Sequence, residues 1–425
     1  MKGVFMRERA LLMNQWALLL VLVLLIATPV RSHAVVAVLL LYSVGYLTVN
    51  RHTLSMLPFD WLVIGLLTLY LLSRLPIFLL DGQQSRYLAP GAHMAALVPI
   101  YLMLRHLLAP VDLPAFRQYM EVGVVLGCLG ALAVALYQTL VLGSYRADGF
   151  LFSINLSYLS CAMAFLAASL IRGSSHKTWL LLAALAGALT CILTLVRGGI
   201  LVLPILLVLL LLLNANTIGW KVIVAALVAL LMLALVSYAT LPNVQNRIDY
   251  TTAEVTNLME GDIEAAVSSG GRLQLWTAAY HAFMARPLIG LGYEEREALN
   301  AELVERGVLT EWVLGVNRGH AHNQYFEMAA TGGLLALLAL AGYLVVPGVY
   351  HWKVYRRDRD NTWAQAGLVF TVGFAFYNLT EAAIHHEMMT TFYTYMQVML
   401  VVMGRVELGY KGLGLGTAKK SCPQG

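Results

Sequence analysis

Apolar runs near 20 residues long recur along most of the chain, separated by short polar turns. Runs of that length match the ~30 Å hydrocarbon core of a bilayer when wound as helix. The pattern predicts about twelve membrane-spanning helices, near 10–30, 34–49, 59–80, 89–109, 118–142, 150–171, 178–196, 199–213, 218–240, 326–349, 362–380 and 389–409. The seventh and eighth are parted only by Arg197-Gly198, which reads as a tight hairpin or as one broken helix. From Leu241 to about Tyr325 the rhythm stops and the chain turns polar. Within that segment 271–285 and 294–306 have helical composition, with Pro287 and Gly290-Leu291-Gly292 set to separate them. The predicted fold is all-α and polytopic. It has spans over 1–240, a helical loop domain over 241–325, further spans over 326–410 and a tail over 411–425.

Composition removes the soluble alternative, because 60% of residues are hydrophobic and only 12% are charged, against about a quarter charged in ordinary soluble domains. The net charge of +5 is spread over many short loops, so topology accounts for it and no nucleic-acid partner is implied. Every lysine falls on the side of the N-terminus, whereas the short loops of the other side hold only Arg31, Arg86, Arg146 and Arg197. The positive-inside rule then places both termini in the cytoplasm and 241–325 outside. Lys2, Arg7 and Arg9 precede an apolar run from Ala10 to Val30. That run is longer than the 7–15-residue core of a signal peptide, so it is expected to stay as an uncleaved first span. Cys128, Cys161 and Cys191 lie inside apolar runs and Cys422 in the tail, with no CxxC spacing, so neither a disulfide framework nor a cysteine zinc site is predicted.

Candidate chemistry concentrates at the outer face. Arg74 and Arg105 lie in apolar runs near helix ends and are expected to snorkel. Arg197 sits in Leu195-Val196-Arg197-Gly198-Gly199, where glycines admit close backbone approach. It suits either an anionic ligand gripped by its fork of donors or a headgroup anchor. Ser268-Ser269-Gly270-Gly271-Arg272 leads into a helical stretch, so an anion-receptive helix start with Arg272 in the first turn competes with a plain solvated loop. The long loop carries six arginines and no lysine, and it has no Asp-x-Asp pair to hold a magnesium-bridged diphosphate. Any phosphate there is therefore expected to be neutralised by arginine rather than metal.

The densest stretch is Asn317-Arg318-Gly319-His320-Ala321-His322-Asn323-Gln324-Tyr325-Phe326-Glu327, just before a span. Zinc on His320-x-His322 lacks a third ligand by spacing. A general base is the sharper option, since imidazole titrates near neutral pH. His385-His386, with Glu381 and Glu387, reads as interfacial polar residues or as a substrate-binding patch.

These residues resemble the O-antigen ligase/polymerase superfamily of bacterial inner-membrane glycosyltransferases, over the whole architecture and most specifically from Thr190 to Ala336. The resemblance rests on Arg197 in Leu-Thr-Leu-Val-Arg-Gly-Gly, on Gly-Gly-Arg272 followed by Trp276 and Pro287-Leu288-Ile289-Gly290-Leu291-Gly292, and on His322-Asn323 followed by Gly333-Leu334-Leu335. Ala336 departs from the small polar residue often found there. The resemblance implies a GT-C-like enzyme of the inner membrane with a periplasmic site, using no metal and no cofactor. Its donor would be an undecaprenyl-diphosphate-linked O-antigen, transferred with inversion.

On that reading Arg197 and Arg272 clamp the diphosphate and His322 acts as base, oriented by Asn323 or Glu327. Asn323, Arg86, Arg146 and His320 would help to bind substrate. His320 is expected to matter less than His322, as two residues apart on a helix point to different faces. Within the superfamily a ligase acting on the lipid A–core is favoured over a polymerase or a protein O-oligosaccharyltransferase, because one outer loop is long and the chain ends soon after the last span. A transporter or flippase fits less well, since the halves do not repeat and the polar cluster lies at one interface.

Overall fold

The computed structural model describes residues 2–30, 32–82, 84–263, 265–316 and 319–412. Arg31, Arg318 and the tail with Cys422 lie outside them. The chain forms α1 (Lys2–Ala27), α2 (His33–Asn50), α3 (Pro58–Leu80), α4 (Ala89–Ala95), α5 (Val98–Leu107), α6 (Leu113–Leu136), α7 (Ser153–Leu170) and α8 (Lys177–Leu193). After α9 (Arg197–Asn214) and α10 (Trp220–Thr240) comes a polar cap of α11 (Pro242–Met259), α12 (Val267–Ala285) and α13 (Tyr293–Glu305). The chain closes with α14 (Gln324–Arg357), α15 (Thr362–Thr380) and α16 (Glu387–Gly412). Among the described residues no strand occurs, and eight helices are long and apolar enough to cross a membrane. The protein is an all-helical, multi-span membrane protein.

Helices occupy each predicted apolar segment, with one division. The expected span 89–109 is two helices, α4 and α5, because Pro99 sits in the first turn of α5 and cannot donate back to an uninterrupted helix. The cap contains a helix the composition did not announce, α11, whose mean hydropathy is too low to register as a span. At the seventh-to-eighth junction the helix breaks over 194–196, with Leu195 in the left-handed region at φ 55°. That break starts a new helix at Arg197.

α7 and α15 form the centre, buried along nearly their whole length, with α8, α9 and α14 packed around them. Without a hydrophobic drive between helices in lipid, close approach depends on small residues. A methyl group at Gly187 would lie 2.9 Å from Ala164 Cβ. α10 is the opposite case, with 6% of its apolar window buried, and its sides are left for lipid.

The end of the bundle away from the cap is held by ion pairs, including Arg117 Nε to Glu121 Oε1 at 2.8 Å and Arg172 with Asp360. Arg105 joins them by pairing with buried Asp60. Neither arginine expected to snorkel does so. Arg74 is 3% exposed, donates to Thr331 Oγ1 at 3.0 Å and fills the space that a side chain at Gly332 would need.

Candidate active site

α12 joins the cap to the bundle through α14. Trp276 on α12 stacks on Phe326 of α14, and its Nε1–H donates to Ala321 O at 2.9 Å, which fixes the 319–323 loop from above. From below, Ala321 N–H donates to Glu327 Oε2 at 2.9 Å, and Glu327 is itself paired with Arg296 at 3.1 Å. A third tie runs sideways, where Gln324 Oε1 accepts from Ile384 N–H at 3.0 Å. It draws the 381–386 loop against the histidine loop.

α14 is not one straight helix. At Gly333 the backbone leaves the helical region (φ 58°, ψ −152°), a conformation essentially closed to residues with a side chain. The freed N–H groups of Leu334 and Leu335 donate to Pro287 O (2.7 Å) and Leu288 O (3.2 Å), and Leu291 N–H donates to Ala330 O. Two motifs far apart in sequence thus form one joint: Pro287-Leu288-Ile289-Gly290 supplies the carbonyls and Gly333-Leu334-Leu335 the donors. A methyl group at 333 would lie 2.4 Å from Pro287 O. Gly333→Ala should therefore cost about 3 kcal/mol or more. It should appear as a lower unfolding midpoint of the detergent-solubilised protein, and an unchanged midpoint would contradict this account of the joint.

The histidines meet a carboxylate on the facing loop. His322 Nδ1 lies 2.9 Å from Glu381 Oε2, and His320 Nδ1 lies 3.2 Å from Glu381 Oε1. Glu381 is 1% exposed, whereas the His322 side chain keeps 39% exposure. Burial alone would raise the Glu381 carboxyl, but the His322 hydrogen bond, the two imidazoles and Ala382 N–H hold it at about 2. Burial pushes the His320 imidazole down to about 4, against the pull of Glu381, and lowers His385 and His386 too. His322 has a left-handed backbone, φ 45°, uncommon for a residue of its size. These residues precede α14, so helical periodicity does not separate His320 from His322, and both rings reach the same carboxylate.

Neither predicted orienting residue faces His322 as its partner. Asn323 caps α14, its Oδ1 accepting from Tyr325 and Phe326 N–H while its Nδ2 donates to Leu379 O at 2.9 Å. With those bonds made at 5% exposure, Asn323 is a helix cap and not a substrate ligand. Glu327 anchors Ala321 and Arg296 instead.

Arg197 opens α9, and Gly198 and Gly199 let that helix start press on α7 and α15. A methyl group at 198 would lie 2.5 Å from Tyr158 Oη and 2.4 Å from Thr380 Oγ1, next to Glu381. Arg197 Nη1 pairs with Glu254 Oε2 at 2.6 Å, while its Nε and Nη2 are buried without a partner. Burial would raise Glu254, but Ser268 N–H, Tyr250, Arg197 and Ser269 bring it to about 2.

The expectation of an anion-receptive helix start at Ser268 is therefore corrected. α12 begins at Val267, its first donors already bind the Glu254 carboxylate, and Arg272 lies in the second turn. Among the described residues Arg272 makes no hydrogen bond or ion pair, and its charge lies near Tyr158. Tyr158 in turn bonds Thr380 at 2.8 Å, so Arg197, Arg272 and the His322–Glu381 pair gather around the Tyr158–Thr380 contact.

The remaining predicted ligands divide. The Arg86 guanidinium lies 3.2 Å from the Tyr293 ring centroid, with Nε and Nη2 buried and unpartnered. Arg146 is half exposed and pairs with Asp148 at 3.4 Å in the loop between α6 and α7. The sequence marks Glu381 only as an interfacial or substrate-binding residue and gives Glu254 no role. The adjacent His385-His386 pair was the one signal for Glu381, and Glu254 had none.

Comparison with known proteins bears on the same region. Residues 180–341 match a family model described as O-antigen ligase. An uncharacterized protein of Haemophilus influenzae is 25% identical over 201 residues, 46% of this chain and 49% of that protein, so the chain spans about half the length of the curated relative it matches. The family match runs from α8 through the cap to α14, taking in Arg197, Arg272, His322 and the Gly333 joint but stopping short of Glu381. Over residues 180–341, this chain is similar to the O-antigen ligase family.

Proposed function

We propose that the protein is a glycosyltransferase, an O-antigen ligase of the bacterial inner membrane. It would move the glycan from an undecaprenyl diphosphate carrier to a hydroxyl of the lipid A–core, at the periplasmic face. It would cross the membrane about twelve times with both termini in the cytoplasm. The observation that carries the reading is one face holding two kinds of group: an imidazole held by a buried carboxylate, and guanidinium donors with no protein partner.

A glycosyl diphosphate needs a base for the attacking hydroxyl and positive charge for the departing diphosphate. His322 presents its Nε2 edge while Glu381 holds Nδ1–H, which fixes the tautomer and stabilises the imidazolium formed when the proton arrives. The hydroxyl oxygen attacks the anomeric carbon from the face opposite the diphosphate. The carbon–oxygen bond to the diphosphate breaks and the configuration inverts. Arg197 and Arg272 receive the charge that grows on the leaving oxygens, with no metal required.

Surface glycolipid from a deletion strain tests the assignment. Long lipid-linked polymer accumulating beside bare core is the expected profile, and core capped with single repeat units would make the protein a polymerase. A topology reporter fused at Ser268 should be active outside the cytoplasm. Activity inside would remove the site from the periplasm.

A further inference from the structure

We infer that His320, Glu381 and His386 form a zinc-binding site that inhibits the reaction proposed above; the inhibition rests on that reading, the binding does not. The spacing of His320-x-His322 offered no third ligand, and the fold supplies it from the 381–386 loop. One ligand atom from each of the three side chains falls within 4.8 Å of the others, and Glu381 is buried. In a tetrahedral zinc shell with bonds of about 2.0–2.2 Å, ligand atoms stand roughly 3.3 Å apart. The widest pair then has to close by at most about 1.5 Å, within reach of imidazole side-chain rotation. Two imidazoles and one carboxylate are a donor set that zinc favours over magnesium or calcium.

The ligands are ready for a metal. Burial keeps His320 and His386 neutral, the form that ligates, while Glu381 is ionised. Both histidines are partly exposed, which leaves an approach from solvent and an open fourth position.

The consequence for transfer follows from the two oxygens of Glu381. Oε1 faces His320 and Oε2 faces His322. A dication seated on Oε1 takes up the carboxylate whose Oε2 holds His322 Nδ1, so it disturbs the placement of the imidazole that meets the acceptor. Zinc on this site therefore slows transfer without touching the diphosphate clamp.

The test uses tag-free full-length protein in detergent, equilibrated with ZnCl2 and assayed for bound metal by elemental analysis. Wild type should hold one zinc per chain, and His386→Ala should bind more than ~100-fold more weakly, since losing a ligand exceeds the cost of losing an outer-shell partner. Glu381→Gln should lose zinc as well. No zinc on the wild type, or equal affinity in His386→Ala, would overturn the site. In transfer assays zinc should inhibit wild type and spare His386→Ala, with EDTA restoring the wild-type rate. Zinc bound through His386 with transfer unaffected would overturn the inhibition. Zinc bound as predicted with no transfer under any condition would uphold the metal site and count against the transferase reading.

Discussion

His322→Asn should lower transfer by about 10²–10⁴-fold while the protein keeps its unfolding midpoint and its affinity for the lipid-linked donor. The magnitude is that of a positioned general base. Asparagine is the informative replacement because residue 322 sits at φ 45°, where asparagine is tolerated and most side chains are strained. Alanine there would mix backbone strain with lost chemistry. Donor binding should survive because, in the proposed mechanism, arginine would hold the diphosphate while the imidazole would act on the acceptor.

The pH profile separates a base from a residue that only hydrogen-bonds the acceptor. Glu381 and Glu254 have folded values near 2 against about 4.5 unfolded, so the hydrogen bonds and charges that hold them ionised contribute fully above about pH 4.5 and are lost as pH falls toward 2. Neither carboxylate titrates in the neutral range. A rise of activity with pH there is assigned to an imidazole, and the variant should lack it. Near-wild-type turnover in His322→Asn would leave His322 a positioning residue. Glu381→Gln should keep donor affinity, lower the maximal rate and shift the profile, because it removes the charge that stabilises the imidazolium.

Arg272→Ala should reduce transfer by roughly 10²–10³-fold, the usual effect of removing one preorganised donor from a developing anion. The variant is clean, since among the described residues Arg272 makes no hydrogen bond or ion pair to strand. Arg197→Ala is different. It strips Glu254 of the cation paired at 2.6 Å, and breaking a buried pair from one side costs about 3–5 kcal/mol. Loss of activity in that variant mixes folding with chemistry. The double variant Arg197→Gln/Glu254→Gln restores neutrality on both sides, and it should fold well yet remain nearly inactive. Arg197→Lys should rescue poorly, because an ammonium cannot reproduce the two buried donors that Nε and Nη2 present. EDTA should leave turnover intact. If EDTA stopped it and magnesium restored it, diphosphate neutralisation by arginine alone would be wrong.

The membrane helices were legible because a bilayer imposes length and polarity on every residue facing it, and α2, α3 and α9 end within about two residues of where hydropathy puts them. Candidates marked by their immediate neighbours could be picked out too. Arg197 next to paired glycines and His322 before a helix carry their signal within a few positions. Glu381 was not, because its meaning comes from a contact 59 residues away in sequence, made when Gln324 draws the two loops together. The same distance hid the pairing of Pro287 and Gly333. Their motifs read as parts of a catalytic signature, yet they are the two halves of a structural joint. Asn323 misled in the other direction, since a polar residue beside the base turned out to be a helix cap.

The helices that deliver the site are short. α7 and α9 have 18 residues and α8 has 17, a rise of about 26–27 Å, whereas α10 with 21 residues rises about 31 Å and matches an unperturbed hydrocarbon core. α7 is enclosed by its neighbours, so lipid meets α8 and α9, and mismatch of this size is absorbed by local thinning. On that account the headgroup plane should dip where α9 begins, bringing a lipid phosphate toward the depth of Arg197.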